Sequence, residues 1–240
     1  MIKPKKSLSQ NFLKDKNICK KIISKTSVKN KVVIEIGPGK GSLTETIVSQ
    51  KPKKLYLIEK DDILSKELQK KYKYHSKIYI YNNDILDFDL SKLKDIIIIS
   101  NLPYNVSTKI ILYLFNYNNN INEMVLMLQK EVALKFDYSK PKMNKYKLYT
   151  KITSTFNKCF DVSPNVFIPK PKVNSSVVKF KFKKGKNDLI KLERFNKIIF
   201  NNMRKKLNNK INFNVNDNKI LSKRVDQLTV DELLNIYYFF

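Results

Sequence analysis

Directly behind a run of four isoleucines, Ile96 to Ile99, and one serine, the chain reads Asn101-Leu102-Pro103-Tyr104. These four residues have a chemistry in common. An exocyclic amine on a nucleobase is a poor nucleophile, because its lone pair is shared with the ring. The side-chain carbonyl of Asn101 and the backbone carbonyl of Leu102 can hold that NH2 and favour the tetrahedral nitrogen that attack requires. Pro103 fixes its own φ and keeps Leu102 extended, which aims the carbonyls at one point. Tyr104 offers a flat face on which a base can stack. A surface turn does not fit at the end of so apolar a run.

The second group is glycine. The chain has four, and three fall within five residues: Gly37, Gly39 and Gly41, after Val32-Val33-Ile34-Glu35-Ile36. Glycine tolerates positive φ and close approach of backbone to a ligand. The spacing is G-x-G-x-G, not the G-x-G-x-x-G of dinucleotide binding, which points to S-adenosylmethionine. One glycine would serve a plain strand-to-helix turn. Glu59 stands 22 positions after Gly37, where a carboxylate suits the two hydroxyls of an adenosine ribose. Asp84 is placed to accept from an adenine amino group. Each has a plainer reading: a solvated carboxylate beside Lys60 for Glu59, and a turn or cap residue for Asp84. A sulfonium methyl is already activated, so the protein's work is positioning and electrostatics.

The elements that must place these residues alternate between helical and strand patterns. Helices are expected at 15–26 (capped by Asp15), 42–50, 61–73, 107–115 and 130–137. Strands are expected at 32–36, 55–58, 77–81, 96–99 and 124–128, with two more at 157–162 and 175–182. Such alternation implies a mostly parallel sheet with helices on both faces, and ligands at the carboxyl ends of its strands. The glycine loop, Glu59, Asp84 and Asn101 all follow strands. At Lys183–Asn187 the pattern changes to a linker; a helix is expected at 188–203, then a basic segment and short helices to Phe240. The fold class is α/β: a Rossmann-like methyltransferase sheet over residues 1–183, with a small helical domain at 188–240.

Composition narrows the functions. Of 240 residues 42% are hydrophobic, enough for a real core, while no apolar run approaches the ~18 residues of a membrane span. Cys19 and Cys159 lack metal-ligand spacing, and the lone His75 sits in a polar stretch, so neither a zinc site nor Ser-His or Cys-His catalysis has material. No signal or transit peptide is evident, and the expected compartment is a cytoplasm, with an organelle left open. The formal charge is +27, which suits a polyanion. Lysine bias competes with that reading, since only Arg194, Arg204 and Arg224 among the 48 basic residues are arginine. The charge is also uneven: residues 1–31 hold ten lysines and one acid, Asp15.

These motifs resemble the ribosomal RNA adenine N6,N6-dimethyltransferase family along nearly the whole chain. The matching segments are Ser7-Leu8-Ser9-Gln10-Asn11-Phe12-Leu13, Glu35–Gly39, Asn101–Thr108, Met127–Ala133 and Phe167–Val178, the last as F-x-P-x-P-K-V-x-S-x-V. The resemblance implies that Asn11, Leu13, Gly37, Gly39, Glu59, Asp84, Ile85 and Asn101 bind S-adenosylmethionine, with residues 1–31 covering it. It implies that Asn101–Tyr104 carry catalysis and that Tyr104 and Phe167 sandwich a flipped adenine. It makes Asn202–Leu207 a basic helix, with Arg204, Lys205 and Lys206 on RNA. It also implies dimethylation of two adjacent adenosines near the 3′ end of small-subunit ribosomal RNA, in an immature small subunit, by a monomer without a metal. The rivals are the large-subunit dimethyltransferase, a non-catalytic RNA- or DNA-binding relative and, third, an NAD dehydrogenase. Three positions depart from the family: Ser9 and Lys147 where glycine is common, and Asn174 where aspartate is frequent. The glycine replacements are expected to alter loop geometry near the substrate mouth.

Overall fold

The apolar runs become the middle of a sheet. The computed structural model describes residues 4, 5, 8, 10–185, 188–210 and 218–240. Ser7, Ser9 and the end of the expected linker, residues 186 and 187, lie outside these. In chain order the first elements are β1 (Phe12–Leu13), α1 (Lys16–Ile23), β2 (Val32–Ile36), α2 (Ser42–Ser49), β3 (Lys54–Glu59), α3 (Asp62–Lys71) and β4 (Ile78–Asn82). There follow β5 (Ile96–Asn101), α4 (Ser107–Phe115), β6 (Ile121–Gln129), α5 (Lys130–Phe136), α6 (Lys145–Thr153), β7 (Ser154–Val162), β8 (Phe167–Ile168) and β9 (Ser175–Phe182). The C-terminal part holds α7 (Leu189–Phe200), α8 (Asn218–Leu221) and α9 (Val230–Phe239).

The main sheet has the order β4-β3-β2-β5-β6-β9-β7. Its first five strands are parallel, and β9 runs antiparallel to both β6 and β7. β2 and β5 lie at the centre, with Val33 opposite Ile97 and Ile34 opposite Ile98. Both faces are covered, which is why these strands read as continuous apolar runs rather than alternating ones. Ile22, Ile47 and Leu68 from α1–α3 pack with Val33 and Ile97 on one face. Ile111, Phe115 and Phe136 from α4 and α5 pack with Ile34 and Ile98 on the other. The chain order turns back between β2 and β5, and a crevice opens there at the strands' carboxyl ends.

The expected strands agree with the observed ones to within a few residues. Two features are new. β1 and β8 form a separate antiparallel pair. In α6, Tyr146, Leu148, Thr150 and Ile152 alternate with Lys147, Tyr149 and Lys151. No element is expected here from sequence; an Asn144 cap and tertiary burial make the segment helical. Leu148 and Ile152 share a third core with Leu192, Phe195, Leu233 and Ile236 of α7 and α9.

The basic helix expected over Asn202–Leu207 is corrected by the structure. α7 stops at Phe200, Asn202 adopts φ +51°, and Lys206 bridges to Arg224 before a single 3-10 turn at Leu207–Asn209. The Lys210 ammonium folds back onto the Ile199 carbonyl (2.7 Å) and the Asn201 carbonyl, supplying partners at a helix end. Among the described residues no helix is long and apolar enough to cross a membrane.

Candidate active site

A single cavity at the β2–β5 switch gathers the residues that the sequence assigns to cofactor binding and catalysis. Gly37, Gly39, Glu59, Asp84 and Ile85 line it from the strand ends. Asn11 and Leu13 line it from the N-terminal segment, and Asn101, Leu102, Pro103 and Tyr104 from the end of β5. A second cavity adjoins it, shares Asn11 and Tyr104, and is completed by Gln129, Pro169, Pro171 and Val173.

The glycine loop needs its glycines. Gly37 sits at φ +61° and Gly39 at φ +58°, a region L-residues seldom adopt. A Cβ on Gly37 would meet nothing, so the loop backbone is open to a ligand there, whereas one on Gly39 would press on the Phe12 ring at 3.0 Å. The close approach at Gly39 is therefore made by the chain's own N-terminal segment.

Glu59 is not the solvated carboxylate of its plainer reading. It is 5% exposed. One oxygen accepts from Gly39 N–H (3.0 Å), the other from Asp61 N–H (2.9 Å). Burial pushes its pKa up, and these two N–H groups work against that rise. The carboxylate ties the glycine loop to the end of β3 and keeps lone pairs for a ligand's hydroxyls. Asp84 takes its plainer reading, a capping residue, and also lines the cavity. Its Oδ1 caps Leu86 N–H (3.0 Å), while Oδ2 accepts from the Lys60 ammonium at 2.8 Å. Desolvation raises its pKa, but the Leu86 N–H and the Lys60 ammonium outweigh it and hold the group below the usual carboxylate range.

Two residues on this cavity escaped the sequence reading. Glu35 is buried under the glycine loop and accepts from Thr44 Oγ1 at 2.7 Å. Burial above all pushes its pKa up to about 8, with the nearby Glu59 charge adding to the rise. An acid inside an apolar strand was the available signal. Gln10 is the second: its amide donates to Asp61 Oδ2 (2.9 Å), which also holds the Lys5 ammonium (2.9 Å). With β1 paired to β8, these contacts strap the N-terminal segment across the cavity.

The strap also reaches Asn101, whose Nδ2 donates to the Asn11 carbonyl at 2.9 Å. That bond commits the NH2 end of the amide, so Oδ1 is the end left to accept a hydrogen bond. β5 is itself pinned to β2 by Ser100 Oγ–H donating to the Ile36 carbonyl at 2.6 Å. Leu102 N–H donates to the Met127 carbonyl, and Ser107 Oγ–H to the Tyr104 carbonyl. The tetrapeptide is thus held along its length. The Tyr104 hydroxyl shares a 2.6 Å hydrogen bond with Ser175 Oγ.

Phe167 stands apart. It is 2% exposed, belongs to the core that contains Leu13, Val162 and Val177, and lines neither cavity. Its register partner in β1 is Leu13, so it packs under the strap instead of facing Tyr104 across an open slot. Arg204, Lys205 and Lys206 are exposed and also outside both cavities. Lys147 is buried, and its ammonium donates to the carbonyls of Lys140, Pro141 and Lys142 at 2.7, 2.7 and 3.1 Å. Burial lowers its pKa. It braces that loop from inside and lines neither cavity. Asn174 is exposed, and its carbonyl accepts from Lys130 N–H.

A mostly parallel sheet with a glycine loop after β2, acids at or just past the ends of β3 and β4, and Asn-Leu-Pro-Tyr at the end of β5 is the arrangement of a Rossmann-like methyltransferase. The comparisons specify which one. The family described as "Ribosomal RNA adenine dimethylase" matches residues 1–239, and the chain belongs to this family. A curated relative from Pelagibacter ubique, named ribosomal RNA small subunit methyltransferase A, is 39% identical over 225 residues, covering 88% of this chain and 84% of its own. One of the same name from Hydrogenobaculum is 38% identical over 243 residues, covering 99% and 93%. Among solved structures, a dimethyladenosine transferase from Plasmodium falciparum superposes with a TM-score of 0.79 at 23% identity, covering 95% of this chain and 100% of its own. The 23S rRNA methyltransferase ErmE gives 0.79 at 19% identity, covering 95% and 98%. At those identities the two structures speak for the fold.

Proposed function

We propose that this protein uses S-adenosylmethionine to dimethylate N6 of two adjacent adenosines of small-subunit ribosomal RNA, acting as a monomer on an immature small subunit in the cytoplasm. The observation that carries the reading is the convergence of glycine loop, Glu59, Asp84 and Asn101 on one cavity, with Tyr104 shared between it and its neighbour. The residues fit the cofactor. Glu59 offers acceptors for ribose hydroxyls, Asp84 for an amino group, and Ile85, Leu102 and Leu13 an apolar lining, while Glu35 adds a second buried acid that a cationic ligand would help to ionise. When bound, the cofactor supplies an electrophilic methyl group. Asn101 Oδ1 and the Leu102 carbonyl accept the hydrogens of the adenine amine and align its lone pair, and Tyr104 stacks the base. A stacking role for Phe167 requires its ring to leave the core. The large-subunit reading is disfavoured by the relatives, whose names specify the small subunit at 38–39% identity.

In this reading residues 188–240 form an RNA-contacting unit through Arg204, Lys205 and Lys206. Lysines of the N-terminal segment assist: Lys16, Lys20 and Lys21 of α1 are exposed and take part in none of the ion pairs among the described residues. Each phosphate contact on single-stranded RNA contributes about −0.7 to the slope of log affinity against log salt. Replacing Arg204, Lys205 and Lys206 together with alanine is expected to flatten that slope by roughly two units and to weaken binding to small-subunit particles, with cofactor affinity unchanged. An unaltered slope with unaltered particle affinity would show that RNA does not sit on this cluster.

A further inference from the structure

The hydroxyl of Tyr104 has a partner that none of the motif chemistry calls for. Ser175 is the first residue of β9, fully buried, and paired with Gln129 at the end of β6 and Val162 at the end of β7. It therefore sits in the sheet with a strand paired on both sides. Its Oγ lies 2.6 Å from the Tyr104 hydroxyl. Tyr104 itself follows Pro103 in a loop, half-buried, with its ring between the two cavities. A tyrosine ring on a loop has two free torsions. The Ser107 hydroxyl fixes the backbone end of the residue, and Ser175 fixes the far end of the ring. Burial raises the phenol pKa, so the hydroxyl stays neutral and the bond persists across the pH range in which an enzyme works. With Phe167 withdrawn into the core, Tyr104 is the aromatic face at the boundary of the two cavities. The plane of that one ring then sets where a base rests relative to Asn101.

We propose that Ser175 is a positioning residue for methyl transfer: it anchors the Tyr104 hydroxyl to the sheet and so holds the stacking ring at the angle that delivers the adenine amine to Asn101. The proposal rests on the base-stacking role of Tyr104. It adds a specificity for tyrosine over phenylalanine at that position, which stacking alone does not require.

The test is a double-mutant cycle with an RNA hairpin carrying two adjacent loop adenines as the probe. Ser175→Ala is expected to lower kcat/KM for the hairpin by about three- to tenfold, the scale of one neutral hydrogen bond. Tyr104→Phe is expected to do the same. The double variant should be no worse than either single one, because both remove the same bond. Affinity for S-adenosylmethionine and thermal midpoint should stay near wild type in Tyr104→Phe, which leaves the sheet untouched. Unimpaired turnover by Ser175→Ala would overturn the proposal, as would losses that multiply in the double variant. If Tyr104→Ala itself leaves methyl transfer intact, the stacking role fails first. If Tyr104→Ala is impaired while Ser175→Ala and Tyr104→Phe are not, only the anchor fails.

Discussion

Asn101→Ala is expected to lower methyl transfer by about 10²-fold or more, the scale of removing one preorganised polar group from a reacting centre, while cofactor affinity falls far less. The expectation follows from the orientation of the amide. Its nitrogen end is committed to the Asn11 carbonyl at 2.9 Å, which leaves Oδ1 to accept from the adenine amine. Alanine removes that acceptor and also frees the strap from the catalytic segment. Asn101→Asp separates the two effects. It keeps an acceptor oxygen but cannot donate to Asn11, and it sets a carboxylate against that carbonyl. It should be impaired in both cofactor retention and turnover. Single-turnover transfer at saturating cofactor reads the chemical step directly. A rate within a few-fold of wild type for Asn101→Ala would mean that the amide is not positioning the nucleophile.

Glu59→Ala carries the second large effect, on binding. Glu59 joins two functions: its oxygens hold Gly39 N–H and Asp61 N–H, and the same carboxylate faces the cavity. Losing a hydrogen bond to a charged group, or stranding its partners, costs roughly 1–3 kcal/mol. By the rule of tenfold per 1.4 kcal/mol, cofactor affinity should weaken by about 5- to 150-fold. The thermal midpoint should fall as well, because two buried backbone donors lose their acceptor. Glu59→Gln keeps one carbonyl oxygen and should lose less of both. Calorimetric titration of a folded Glu59→Ala variant that binds S-adenosylmethionine as tightly as wild type would contradict the assignment.

Much of this site was legible because its signals are local. A glycine triplet after a buried strand has few other uses, and Glu59, Asp84 and Asn101 follow strands whose apolar runs are unmistakable. What stayed hidden was non-local. β1 and β8 are two residues each and exist only because they pair across 154 positions, from Leu13 to Phe167. Asp61 opens the helix expected at 61–73 and in the structure caps α3, but its hold on Lys5 and Gln10 needs the folded chain. Lys147 is expected from sequence only to alter loop geometry near the substrate mouth, and its ammonium's hold on three backbone carbonyls needs the folded chain. Phe167 is the instructive case in the other direction. Taken alone it reads as core, the family motif makes it a stacking residue, and the structure places it in the core.

The most direct measurement of the central claim is to incubate the protein with S-adenosylmethionine carrying a labelled methyl group and small-subunit particles that lack these modifications, then map the label. The account predicts two adjacent adenosines near the 3′ end of the small-subunit RNA, each dimethylated on N6, with no label when Asn101→Ala replaces the wild type at matched single-turnover times. Label on large-subunit RNA, on another atom of the base, or at the same level with Asn101→Ala would contradict it.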